Sequence, residues 1–147
     1  MKYFDKKDSE TFIKERKQAR KEYEKIKDKL PREYDLAYSK YGFHDYDILN
    51  IEIGVYGDGR RYIKLIIKGY GVDENVYCIK YEGVAKVKVE IKTDIIKQRL
   101  GEFRYDEMKQ IKKNGIKYLK HDIQVATWEG MGRITILFNH IMFYKII

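Results

Sequence analysis

The chain has 147 residues, of which 44% are hydrophobic, 14% aromatic and 37% charged; this suits one domain with a genuine core and excludes a disordered tail. Its net charge of +8 is diffuse, with 12 basic and 8 acidic side chains over residues 1–33, 11 and 10 over 34–100, and 8 and 5 over 101–147. A single cysteine, Cys78, excludes an internal disulfide and a Cys-based zinc site.

The first element is helical. Phe12, Arg16, Ala19, Tyr23, Ile26 and Leu30 alternate at spacings of four and three, which sets one narrow stripe along one side of a helix. Asp8 or Ser9 caps its start and Pro31 stops it. The pattern reads as an amphipathic helix lying on a sheet; the alternative, a partner-binding or coiled-coil helix, is weakened by Arg16 in the seam. A shorter helix follows over PREYDLAYSKYG, with Pro31 in its first turn and Gly42 closing it.

After Gly42 the period changes to two. Leu49, Ile51, Ile53 and Val55 alternate with Asn50, Glu52, Gly54 and Tyr56, and Ile63, Leu65 and Ile67 continue the pattern beyond a turn. A three-residue loop at Gly57-Asp58-Gly59 sets Ile53 opposite Ile63, Ile51 opposite Leu65 and Glu52 opposite Lys64. The same device at Tyr81-Glu82-Gly83 pairs Tyr77 with Val87 and Ile79 with Ala85. At Lys113-Asn114-Gly115 it pairs Tyr105 with Ile123 and Phe103 with Val125. Residues 93–101 (TDIIKQRLG) read equally as a helical turn or a strand. RITILF and IMFYKII read as a final hairpin around Asn139-His140. A faint echo relates HDYDILNIEIGVYGDGRRYIKLIIK to HDIQVATWEGMGRITILFNHIMFYKI.

The expected architecture is therefore α+β: a helical part over residues 1–42, with one or two helices, packed on a largely antiparallel sheet of seven or eight strands over 43–147, all in a single domain. No apolar h-region opens the chain, and its most apolar stretch, ITILFNHIMFYKII, is short and interrupted by Asn139, His140 and Lys145. Neither a secretory signal nor a membrane span is expected, which together with the lone cysteine suggests a cytoplasmic protein.

Few residues announce chemistry. His44-Asp45 and His121-Asp122 each look like the start of a strand, where adjacent side chains point to opposite faces. A metal-dependent hydrolase needs His44, His121 and His140 to converge from separate strands with a carboxylate. Otherwise each His caps a strand end while its Asp serves turn backbone. The third hairpin's register sets Glu107 opposite His121, as an acid-base couple or a structural pair. Cys78 lacks a neighbouring His and reads as packing. The glycine runs GDGRR and GMGR lack phosphate-loop spacing, and the two serines, Ser9 and Ser39, sit in no nucleophile elbow.

The positive signal is a basic sheet face. Lys86, Lys88 and Lys92 alternate with Val87, Val89 and Ile91, and Lys64, Lys68, Lys80 and Cys78 fall on the same expected exposed side. Such lysines keep a wet sheet soluble, or they dock an acidic partner together with some of the fourteen tyrosines. RNA is the alternative occupant. It is disfavoured because Lys outnumbers Arg by 23 to 8, while bidentate phosphate recognition favours Arg.

FHDYDILNIEI, IKYEGVAKVKVEI and the run from FRYDEMKQ to the C-terminus resemble a set of short bacterial proteins without an assigned role. Those proteins have a His-Asp strand opener, a YDE before an Asn-Gly hairpin and a late H-[DE]-I strand, and are similar in style to immunity proteins of polymorphic toxin systems. The likeness covers about residues 43–147. It implies an α+β fold and a toxin-neutralising role, with no catalytic residue and no cofactor. Nuclease-neutralising proteins are usually acidic, and this basic chain departs from that pattern. The expectation is thus a cytoplasmic, non-enzymatic protein-binding module of immunity or antitoxin type whose partner is acidic, possessing no bound cofactor.

Overall fold

The computed structural model describes residues 9–40, 42–69, 74–92, 100–127 and 130–146. Two helices, α1 (Ser9–Ile26) and α2 (Arg32–Lys40), are joined by a 3-10 turn (Lys27–Lys29). Eight strands follow: β1 (Asp47–Val55), β2 (Arg61–Lys68), β3 (Val76–Glu82), β4 (Lys86–Glu90), β5 (Glu102–Lys113), β6 (Ile116–Thr127), β7 (Gly130–Phe138) and β8 (His140–Lys145). They form one antiparallel sheet ordered β4-β7-β6-β5-β1-β2-β3-β8. The fold is α+β. No helix among the described residues is long and apolar enough to cross a membrane.

The expected helical stripe is buried over its C-terminal half, while Arg16 on it is exposed, and α1 ends at Ile26, with a 3-10 turn before Pro31. Tyr23, Ile26 and Leu30 lie in the core, whereas Ile13, off the stripe, is 52% exposed. α2 ends as its glycine dictates: Gly42, at φ +65°, donates its N–H to the Ala37 carbonyl in a left-handed helix stop. α1 lies against β5 and α2 against β8.

The first hairpin has the expected register, Ile53↔Ile63, Ile51↔Leu65 and Glu52↔Lys64, and Gly59 sits at φ +90° in its loop. The second and last expected hairpins do not form. β3 pairs with β2 and β8, and β4 pairs with β7, so Tyr77 meets Lys145 and Val87 meets Ile136. β3 instead runs on through Gly83–Ala85 into β4, and β7 through Asn139 into β8. Together they make one bent two-stranded ribbon in which Asn139 N–H donates to the Glu82 carbonyl and Ala85 N–H to that of Leu137. The reason is burial. Cys78, Ile79 and Tyr81 of β3 are fully buried, and a central strand needs a hydrogen-bonded neighbour on each side.

The connectivity therefore repeats. β1-β2-β3 and β5-β6-β7 are successive meanders, and each lends its following strand to the other: β4 to β7, β8 to β3. The repeat relates β1 to β5, whereas the sequence echo aligned β1-β2 with β6-β7 and so does not mark it. Because β3 and β7 continue directly into strands at opposite ends of the order, the sheet curls back on itself. Its meanders also meet at Asp47↔Glu102. The inner face and the helices share one hydrophobic cluster. Phe43 stands at its centre, with its ring 5.9 Å from Phe103 of β5, 5.8 Å from Phe143 of β8 and 5.4 Å from Tyr34 of α2.

The third hairpin turns more tightly than expected. Asn114 and Gly115 (φ 51° and 77°) form a two-residue turn closed by Lys113↔Ile116. That moves the pairing by one residue, and a bulge between Phe103 and Tyr105 moves it back, so Phe103 still meets Val125. Between turn and bulge the expected pairs are displaced: Tyr105 meets Gln124 and Glu107 meets Asp122. Residues 93–99, readable as helix or strand, lie outside the described residues.

Candidate functional site

The six lysines divide into two groups. Lys64 and Lys80 are direct cross-strand partners on β2 and β3, and Lys68 lies two repeats of the pleat further along β2. Lys86 and Lys88 are on β4, at the opposite end of the strand order, with Lys88 3.4 Å from Glu90, and Lys92 follows β4. The single basic face expected from sequence is thus corrected, because β4 leaves β3 for the other meander. Cys78 is also not on a wet face: it is fully buried. Its cross-strand neighbour is Tyr144, and the hydrogen bond with the thiol, aided by burial, pushes the Tyr144 hydroxyl up to about 12.

Around Lys64 and Lys80 the surface is aromatic. The Lys80 ammonium lies 5.0 Å from the Tyr56 ring and 5.3 Å from the Tyr62 ring, and Lys64 lies 5.7 Å from Tyr62. Tyr56 and Tyr62 pack at 4.8 Å. Gly54 makes room, since a side chain there would run into the Tyr62 ring at 2.2 Å. Tyr56 donates its hydroxyl proton to Glu82 at 2.6 Å, and Lys64 approaches Glu52 at 3.7 Å. The hydrogen bond with Tyr56 holds Lys80 above its ordinary range, so it is fully charged. Met142, opposite Lys80 on β8, and Tyr144 are exposed.

The two His-Asp pairs differ. His44-Asp45 forms the turn before β1, with Asp45 at φ +68° and its carboxylate 3.0 Å from His44 Nδ1. Asp45 N–H donates to the Phe103 carbonyl, and Phe103 N–H to that of Tyr46, so this turn stitches β1 to β5. His121-Asp122 lies in the middle of β6 rather than at its start, and its side chains take opposite faces. Asp122 accepts hydrogen bonds from Thr135 at 2.7 Å and Arg133 at 3.0 Å, with Lys120 at 3.4 Å. Burial raises its pKa, but Thr135, Lys120 and Arg133 outweigh burial and hold the carboxyl below its ordinary range.

His121 is fully buried and its partner is Asp106, not Glu107. Nε2 lies 2.7 Å from Asp106 Oδ2, and Nδ1 lies 2.7 Å from the Tyr81 hydroxyl. With Nε2 against Asp106, the ring's other nitrogen, Nδ1, is left to the Tyr81 hydroxyl. The tight Asn114-Gly115 turn explains the substitution, and the bulge at Arg104 then restores Phe103 to Val125. The turn shifts strand phase, so that Asp106 and Met108 face the side His121 occupies while Glu107 faces Asp122. Asp106 and Tyr81 were not singled out from sequence, because reading Lys113-Asn114-Gly115 as a three-residue loop set Glu107 on the His121 side, and Tyr81 reaches His121 only through tertiary packing. Among the described residues no three His, Cys, Asp or Glu side chains gather into a metal-binding group. His44 and His140 are exposed while His121 is sealed in the core, so the three histidines do not form a shared centre.

A groove of about 1020 Å³ opens between α1, the end of α2, the 42–44 turn and β5. Its lining includes Arg16, Arg20, His44, Arg104, Tyr23, Tyr38 and the Asp106 end of the buried chain. Tyr23 donates to Asp35 at 2.7 Å, and burial raises the pKa values of both Tyr23 and Tyr38.

No protein-family model matches the chain, and no curated protein matches it.

Proposed function

We propose that this chain is a cytoplasmic, non-enzymatic protein-binding module of immunity or antitoxin type. Its contact surface is the Tyr56, Tyr62, Lys64, Lys80 face of the first meander, and its partner presents acidic side chains. One observation carries the reading: Lys64 and Lys80 face each other directly across β2 and β3. Like charges opposed in a sheet are destabilising, and both ammonium groups are turned over tyrosine rings in the free protein. A partner's carboxylate meets two adjacent ammonium groups here, of which Lys64 already has Glu52 at 3.7 Å, while the rings and exposed Met142 supply rigid apolar contact of the kind enriched at interfaces.

The test is affinity capture from the native host with the wild-type chain and Lys64→Glu/Lys80→Glu, before and after nuclease treatment. A single acidic protein retained by the wild type, lost by the variant and insensitive to nuclease is expected; the product of a neighbouring toxin gene fits the immunity role. Capture abolished by nuclease, with affinity falling steeply with salt, transfers the face to RNA and sinks the proposal.

A further inference from the structure

The groove between α1 and β5 uses cations unlike the rest of the chain. The sequence has 23 Lys and 8 Arg, yet among the described residues the groove is lined by Arg16, Arg20 and Arg104 and by no lysine. Arg16 and Arg20 are one helical turn apart on α1, Arg104 stands across from them on β5, and His44 adds a basic group from the preceding turn. Among the described residues, neither Arg16 nor Arg20 takes part in an ion pair. The acids nearby are already engaged. Glu24 pairs with Lys27 at 2.9 Å and Asp106 with His121 at 2.7 Å, while Asp45 is shared between His44 at 3.0 Å and Arg104 at 3.7 Å.

The walls are aromatic. Phe12 and Tyr105 lie 5.7 and 5.8 Å from the Arg16 guanidinium, and Tyr23 and Tyr38 stack at 4.5 Å. A guanidinium whose faces rest on rings still offers the N–H edge that forks onto an oxyanion. Only Arg16 is so seated, but three guanidinium groups in one concavity suit a dianion better than a single carboxylate, and the rings suit a planar partner. The groove's volume lies at the upper end of the range for small-molecule sites, roughly 300–1,000 Å³.

We infer that this groove binds a phosphate monoester carrying a planar ring, a ligand of mononucleotide size. The phosphate meets Arg16, Arg20 and Arg104, and the ring lies along the tyrosines. The site shares no residue with the Lys64–Lys80 face, so it stands or falls apart from the proposed partner binding.

The experiment is isothermal titration of the full chain with AMP, GMP, CMP and UMP, alongside inorganic phosphate. The same titrations are run on Arg16→Gln/Arg20→Gln and, separately, on Arg104→Gln, with folding of each variant checked by circular dichroism. At least one mononucleotide is expected to bind saturably, at least tenfold more tightly than inorganic phosphate, and at least tenfold more weakly to either folded variant. Absence of saturable binding by all four mononucleotides overturns the inference. So does equal affinity for inorganic phosphate, unchanged affinity in both variants, or binding confined to oligonucleotides.

Discussion

Tyr34 and Tyr81 offer a paired test of the buried hydrogen-bond chain. Both are fully buried, and in both burial drives the phenol pKa well above its ordinary value. They differ in one respect. The Tyr81 hydroxyl is 2.7 Å from His121 Nδ1, whereas the Tyr34 hydroxyl has no hydrogen-bond partner among the described residues. Replacing either by Phe removes one oxygen and preserves the ring packing, such as the 5.6 Å edge contact of Tyr34 with Phe143 and the 4.9 Å contact of Tyr81 with Phe138. Tyr81→Phe leaves His121 Nδ1 without its hydrogen-bond partner in the core and should cost about 1–3 kcal/mol. Tyr34→Phe removes a polar atom that is desolvated without compensation, and should be neutral or stabilising by up to about 1 kcal/mol. At this chain length the gap between the variants, about 2 kcal/mol, corresponds to roughly 4–8 °C in Tm. Urea denaturation at pH 7 with a common m value measures it directly. Equal destabilisation by the two substitutions refutes the reasoning, because the hydroxyl of Tyr34 would then be contributing as much as that of Tyr81.

Three further outcomes follow from the packing. Asp122, whose carboxyl titrates below its unfolded value of about 3.9, stabilises the fold above that pH and loses its contribution as pH falls through the folded value. Asp122→Asn should therefore be less stable at pH 6 and show a flatter decline in urea midpoint below about pH 4; parallel decline in both proteins counts against this. Gly101 sits at φ +126°, where an added Cβ would stand 2.6 Å from Val125 Cγ1 and 2.7 Å from the Ala126 carbonyl oxygen. Gly101→Ala should cost on the order of 3 kcal/mol from backbone strain and overpacking together, and a Tm within about 2 °C of wild type would contradict it. Cys78, fully buried beneath the first meander's outer surface, should react with Ellman's reagent only as fast as the protein opens, with urea releasing it; immediate labelling of the native chain would show the thiol accessible.

Much of the local architecture can be read from the chain itself. The stripe through Tyr23, Ile26 and Leu30 specifies α1's buried side, and Gly42 specifies where α2 stops. The Gly57-Asp58-Gly59 loop specifies the β1–β2 register down to the Glu52–Lys64 pair. Each of these is settled by hydrogen bonds and side chains within a dozen residues. The candidate sites are less legible. His121 stood out as a residue, but its partner did not, because the two-residue Asn114-Gly115 turn, compensated by a bulge at Arg104, sets Asp106 rather than Glu107 beside it. Arg16 looked like a flaw in the helical stripe. It becomes a groove residue only when α1 is laid against β5 and meets Tyr105.

The sequence by itself determined the α+β class, the end of α2 and the first hairpin's register, since alternation, capping and turn chemistry act between neighbours along the chain. Tertiary structure alone decided that β4 and β8 are exchanged between the meanders, and with that exchange which lysines share a surface. The physical reason is that any exposed strand edge offers the same row of backbone donors and acceptors. What selects among edges is burial summed over the whole core: Ile79 and Tyr81 of β3 are sealed only when Ile141 and Phe143 of β8 lie beside them.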